Sequence, residues 1–202
     1  AEDGIRDCLL SRGLGDVYKR QVHDLFLRCS RVMLSLTRLP QPVIAKVQGT
    51  ATAAGCQLVA SCDLAIAAET AMFATPGVNI GLFCSTPAVA ISRAISRKHA
   101  MEMLLSGDMF SAEDAYRFGL VNKIVSEDDL DASVWESAKN IASRSSLTIS
   151  MGKEGFYRQL DMDLEDAYRY TSDVMARNMT APDAKEGVDA FLEKREPEWR
   201  VL

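Results

Sequence analysis

The stretch from Val43 to Asp63, VIAKVQGTATAAGCQLVASCD, constrains the fold of this chain more than any other. A short apolar run, Val43–Val47, halts at Gly49. The small residues Thr50, Ala51, Thr52, Ala53, Ala54 and Gly55 follow, and apolar residues then resume at helical spacing with Leu58, Val59 and Cys62. This pattern predicts a strand, a tight turn built almost without side chains, and a helix. Small residues let another molecule approach the backbone closely. The first N–H groups of a helix have no partner inside it and lie at its positive end. Such a turn can hold negative charge as it develops on an oxygen atom, which is the physics of an oxyanion hole.

The same periodicity reasoning extends along the chain. Val22, Leu25, Phe26, Cys29, Val32, Met33 and Leu36 recur at spacings that predict an amphipathic helix ending before Pro40 and Pro42. Strands are expected at Val43–Val47, Asp63–Ala68, Met72–Ala74 and Leu120–Val125, with a short buried helix over Ala54–Ser61. Thr86–Ile95 and Lys98–Leu105 read as helices, the second closed by Gly107. Ser111 followed by Asp114 is a weak capping box, opening a helix that Gly119 stops. Beyond it Asp129–Ser143, Leu147–Leu160, Leu164–Asn178 and Pro182–Lys194 all read as helices, so the chain is α/β first and all-α last. Gly152, like Gly107 and Gly119, reads as helix-end or turn punctuation.

The 202 residues suffice for one domain with a real core. A net charge of −5 with no dense Lys/Arg cluster argues against nucleic acid as a partner, and no apolar run reaches the length of a membrane span. Cys8, Cys29, Cys56, Cys62 and Cys84 form no C-x-x-C pair, and two histidines supply no metal-ligand cluster. Scattered thiols of this kind suggest a reducing compartment and packing roles, and no metal is expected. Residues 1–21 lack sustained periodicity and carry scattered acidic residues, unlike a transit peptide. We expect them to be foreign to the fold, an artefact of sequence assembly joined to a truncated coding sequence. A partial α/β core is then expected over 22–125 and a helical region over 126–202.

Pro42–Asp63 resembles the signature of the enoyl-CoA hydratase/isomerase (crotonase) superfamily, in which a Pro-Val-Ile-Ala strand leads into a Gly/Ala-rich turn and a Cys-x-Leu-x-x-x-Cys-Asp run. The likeness continues through Phe73-Ala74-Thr75-Pro76, Gly81-Leu82, Ala100–Leu104, Ser111–Ala115, Gly119-Leu120-Val121 and Ala190–Arg195, and covers residues 22–197. In detail the motifs are most similar to a mitochondrial subgroup associated with fatty acid metabolism. The resemblance implies a crotonase-like spiral of ββα units followed by a C-terminal helical trimerisation region. It also implies a homotrimer or hexamer, mitochondrial localisation, and a coenzyme A thioester as substrate or ligand with no separate cofactor. Strands, a helix and a first oxyanion loop ahead of residue 22 are implied too, and are expected to be missing here.

Family hydratases use two acidic side chains, one to activate water and one to deliver a proton to carbon. The first lies three residues beyond the residue whose N–H completes the oxyanion hole, where this chain has Gln57. The second follows the Pro of Phe-x-x-Pro, where this chain has Gly77. Gln57 can orient water but cannot exchange a proton near neutral pH. Some family members place an acid where this chain has Ser85. Ala54, with Gly55 beside it, stands at the second oxyanion donor and keeps its N–H. The alternative reading of Ala53-Ala54-Gly55 is close strand–helix packing. Phe191 and Lys194 match a C-terminal Phe-x-x-Lys that reaches the adenine and phosphates of CoA across a subunit boundary, although a helical Phe is ordinarily core and a terminal Lys ordinarily solvated.

Cys84 falls beside the acyl pocket in this register, with a packed thiol as the blander reading. His99 and His23 read as surface residues, and Asp63 as a buried structural acceptor. Three functions remain open: an acyl-CoA-binding homologue that is a poor hydratase, an enzyme of other thioester or enolate chemistry, and a non-catalytic partner subunit.

Overall fold

The computed structural model describes residues 2–200, with side chains from Val17 onward. Helix α1 runs Glu2–Arg38 and delivers the chain to strand β1, Ile44–Val47. It is longer than the amphipathic pattern predicts, and that pattern is only partly used. Val22, Cys29, Met33 and Leu36 are partly covered, whereas Leu25, Phe26 and Val32 stay exposed. Cys8 lies outside the described side chains.

After β1 come β2 (Thr50–Thr52), α2 (Ala54–Ser61), β3 (Leu64–Ala68) and β4 (Met72–Ala74). The residues expected to form only a turn therefore include a short strand, because Thr50–Thr52 pairs in parallel with Met72–Ala74. A 3₁₀ turn over Pro76–Ile80 leads to α3 (Ser85–Ala94) and α4 (Arg97–Ser106). Strand β5 (Phe110–Ser111), α5 (Ala112–Phe118) and β6 (Lys123–Val125) complete the α/β part.

Two three-stranded sheets result, ordered β1-β3-β6 and β2-β4-β5. The pairs β1–β3 and β3–β6 are parallel, in registers that set Ile44 against Leu64 and Ile66 against Lys123. Successive strands thus enter alternate sheets: β1 then β2, β3 then β4. This is how a ββα spiral builds two walls at once. Strand side chains alternate between faces, and β3 is buried on both. Ala65 and Ala67 join the main core with Cys56, Phe73, Ile91 and Met103, while Ile66 and Ala68 meet Leu130 on the other side. That accounts for its unbroken apolar run.

Local signals decide several boundaries. Gly107 and Gly119 are left-handed, at φ 66° and 89°, and close α4 and α5. The capping box at α5 is complete: Ser111 Oγ accepts from the Asp114 amide, and Asp114 Oδ2 accepts from the Ser111 amide. Gly152 departs from the expectation, standing mid-helix in α7 (Ser146–Gln159). His99 departs as well. Its ring is half-buried and stacked on Phe118 at 4.1 Å, with Nδ1 buried and unpartnered among the described residues. His23 is exposed, as expected.

The remainder is helical: α6 (Leu130–Ala142), α7, α8 (Leu164–Met179) and α9 (Pro182–Glu193). α6 covers β1 and β3, whereas α7, α8 and α9 pack on one another. Gly155 faces Val174 of α8, and a Cβ there would lie at ordinary contact distance, 3.4 Å from Val174 Cγ1. Among the described residues no helix is long and apolar enough to cross a membrane.

One polar hub ties the two regions together. Asp63 accepts from the Val43 amide (2.6 Å), Lys153 Nζ (2.6 Å) and Tyr157 Oη (2.8 Å). Lys153 donates also to the carbonyls of Leu36 and Gln41, both at 2.9 Å. Burial and the Asp63 bond hold the Tyr157 phenol well above its ordinary pKa, so it remains a donor. A surface depression of about 370 Å³ lies beside this hub, but Lys153, Asp63 and Tyr157 already satisfy one another there. Asp63 is a structural acceptor.

Candidate oxyanion site

The turn that opens α2 begins with an unusual residue. Ala53 has φ 48° and ψ −113°, a region that L-residues rarely adopt. It is held at both ends, its N–H donating to the Ala74 carbonyl and its own carbonyl accepting from the Gln57 amide, each at 3.0 Å. The backbone amides of Ala54 and Gly55 make no hydrogen bond among the described residues, and both residues are exposed. A Cβ built on Gly55 would meet nothing within 4 Å, so the space beside it is open. No acidic residue lies in the first turn of α2 to offset its positive end. The required left-handed turn falls on Ala53, which leaves Ala54 with ordinary helical geometry and a usable N–H. Nothing in the residue pattern marked Ala53 out, apart from a small residue just ahead of a helix.

Gln57 lies one turn into α2. It is only 4% exposed, and its side-chain amide makes no hydrogen bond among the described residues. The neighbouring Cys56 is fully buried, and its thiol is pushed up to about 12, by burial first and by Cys84 second. Cys56 is therefore a packing residue and not a nucleophile.

Gly77 belongs to the 3₁₀ turn that follows Thr75. Thr75 is fully buried and donates to the Met103 carbonyl at 2.7 Å. The Leu82 amide donates to the Gly77 carbonyl at 2.9 Å, which folds the loop tightly back on itself. A Cβ at position 77 would stand 2.6 Å from the Leu82 carbonyl oxygen and 2.8 Å from Cys84 Sγ. The glycine is there for space, and its loop has closed over the volume a side chain would need. Cys84 is half-buried at the N-terminal boundary of α3. Ser85 is exposed, with its hydroxyl on the Phe83 carbonyl at 3.3 Å.

Helices α2 and α3 pack directly against each other, so the Ala54–Gln57 turn and the segment ending at Cys84 and Ser85 belong to one region of the molecule. Phe191 and Lys194 belong elsewhere. Phe191 is 82% exposed on α9, whose main packing partners are α7 and α8, and Lys194 lies just past its end in a left-handed conformation. Among the described residues no group of three or more His, Cys, Asp or Glu could hold a metal ion. The free thiols among the described residues are Cys29, Cys56, Cys62 and Cys84.

The model of the enoyl-CoA hydratase/isomerase family matches residues 14–201. The chain belongs to that family. It is 50% identical over 187 residues to the mouse mitochondrial enoyl-CoA hydratase domain-containing protein 3, covering 92% of this chain and 62% of that protein. Its fold is that of a solved Mycobacterium smegmatis enoyl-CoA hydratase, with a TM-score of 0.88 and 52% identity over 90% of this chain and 71% of that one. The solved human enoyl-CoA hydratase domain-containing protein 3 is similar too, with a TM-score of 0.86 and 51% identity over 89% and 72% of the two chains. The α/β crotonase fold follows. The chain spans about six-tenths of the length of the curated relatives it matches.

Proposed function

We propose that this chain binds an acyl-CoA thioester at the Ala54 amide, within mitochondrial fatty acid metabolism, and is a poor hydratase. One observation carries the reading: the Ala54 amide that opens α2 makes no hydrogen bond among the described residues, in a chain with Gln57 and Gly77 where the family resemblance expects two acids. The thioester carbonyl oxygen accepts from Ala54 N–H, and the positive end of α2 stabilises an enolate formed from it. Gly55 leaves the approach clear. Gln57 presents a side-chain amide that orients water or a polar acyl group, but it moves no proton. Gly77 contributes only backbone. General acid–base help is worth about 100- to 10,000-fold per group, so the loss of both groups removes efficient hydration.

Phe191 supplies an aromatic face for adenine and Lys194 an ammonium for a CoA phosphate. We place these contacts across a subunit boundary in a homotrimer or hexamer. The thioester is substrate or ligand, and no separate cofactor takes part. The mitochondrial setting rests on relatives named as mitochondrial.

Calorimetric titration with crotonoyl-CoA, paired with a hydration assay, tests this. Binding without hydratase-level turnover is expected. Ala54→Pro is the informative variant, because Pro is tolerated at the first helical position yet lacks the N–H. Its affinity should fall at least about tenfold, the equivalent of one hydrogen bond to a charged or polarised acceptor. Unchanged binding by Ala54→Pro, or turnover like that of an ordinary hydratase, overturns the reading.

The Gln57 side-chain amide, which makes no hydrogen bond among the described residues, favours a second reading, a thioester hydrolase or decarboxylase in which Gln57 positions the water or carboxylate. A panel of acyl-CoAs with Gln57→Ala as control separates the two, since only this reading expects Gln57-dependent release of CoA or CO2 above background.

A further inference from the structure

The segment that follows α9 does not trail into solvent. Arg195 closes onto Glu186 with two parallel bonds, Nη1 to Oε1 at 2.6 Å and Nη2 to Oε2 at 3.1 Å. The Glu198 amide donates to the same carboxylate at 2.8 Å. Trp199 Nε1 reaches the Ser143 carbonyl at 2.8 Å, beyond the end of α6. Its indole lies against Gly187, where a Cβ would be only 3.3 Å from the ring. The Arg200 amide donates to Asp183, which is 2% exposed and also accepts from Ser145 Oγ at the start of α7. A stretch of six residues thus fastens the far end of α9 to its own first turns and to the α6–α7 junction.

The backbone this strap secures is itself strained. Lys194 has φ 54° and ψ 42°, a conformation that glycine adopts without cost and that helices commonly end on with glycine. The chain keeps a lysine there, with the Arg195 amide on the Ala190 carbonyl at 3.0 Å completing the turn. A non-glycine side chain at a left-handed position is uncommon, and the outlier motivates a role for that side chain.

We infer that residues 195–200 are a positioning strap: by anchoring Arg195 on Glu186 and Trp199 on Gly187, they hold Phe191 and Lys194 in the orientation that meets the nucleotide end of CoA. The inference rests on the CoA-contact reading of Phe191 and Lys194 given above. The strap touches no ligand and acts through the end of α9. Its effect is confined to the adenosine and phosphate part of the ligand and does not reach the thioester cradle at Ala54.

The test compares an acyl-CoA with the matching acyl-pantetheine, which carries the same thioester without the nucleotide, by calorimetry on the full chain. Wild type should bind the acyl-CoA more tightly, and Lys194→Ala should abolish that preference. Trp199→Ala and Glu186→Gln should each shrink it by about tenfold and leave acyl-pantetheine binding unchanged, whereas Trp199→Phe retains it. Thermal melts register any general loss of fold. An intact preference in Trp199→Ala, where Lys194→Ala has lost it, overturns the strap alone. Parallel weakening of both ligands in Trp199→Ala reduces the strap to a stabilising element and overturns its positioning role. Absence of any preference in wild type overturns the CoA-contact reading and the strap with it.

Discussion

At the scale of single residues, two backbone positions define the candidate site, and each makes a prediction. Ala53 carries a side chain where the turn asks for glycine. Ala53→Gly should stabilise the chain by about 1 kcal/mol, as relief of strain outweighs the greater freedom of glycine in the unfolded state; the urea midpoint reports it. Gly77 is the opposite case, with no room for a methyl group. Gly77→Ala should cost about 1–3 kcal/mol, in the range for overpacking. Adding Cys84→Ala should recover only part of that loss, because the nearer obstacle is the Leu82 carbonyl. Full recovery in the double variant would show that the thiol alone sets the space. The identities Gln57 and Gly77 were legible in the sequence once the motif was aligned. The closed volume at Gly77 was not, since it depends on how residues 76–84 fold back.

At the scale of elements, the interest lies in how helices secure strands. The α2 boundary at Ala54 could be read directly, because small residues end where apolar periodicity starts. β2 and β5 could not, since three- and two-residue strands exist only through pairing with β4. The Asp63 hub joins β3, the α1–β1 connection and α7. Its ion pair is nearly dry, with side-chain exposures of 7% for Lys153 and 16% for Asp63. Breaking such a pair leaves an uncompensated buried charge. Lys153→Met should therefore cost about 3–5 kcal/mol, and Tyr157→Phe only about 1 kcal/mol, both measured by urea unfolding. Equal costs would mean that the ion pair carries no special weight. Asp63 itself is legible as an acceptor ahead of a strand, but nothing local names a lysine ninety residues away as its partner.

At the scale of the whole molecule, an α/β spiral carries the Ala53–Gly55 turn and a helical region carries the exposed α9 end. The strap makes that second region sensitive to acid. Arg195 and the Glu198 amide hold the Glu186 carboxyl down to about 2 from an ordinary 4.5. The unfolded chain therefore takes up the proton more readily between those values, and stability rises with pH across that window. The contribution of Glu186 is present above about pH 4.5 and is lost as pH falls toward 2. The gap in urea midpoint between wild type and Glu186→Gln should be constant near neutrality, narrow below pH 4.5 and close near pH 2. A gap that stays constant down to pH 2 would contradict the pairing.

The chain by itself determined its local order: where α2 begins, where Gly107 and Gly119 stop helices, and the capping box at Ser111. Each follows from interactions between residues a few positions apart, which the order of side chains spells out. Only the tertiary structure decided that Thr50–Thr52 is a strand, that Leu82 and Cys84 close the space at Gly77, that His99 lies against Phe118, and that Trp199 returns to Ser143. Those outcomes depend on groups distant along the chain meeting in space, where packing volume and hydrogen-bond satisfaction select among arrangements that local preference leaves equal.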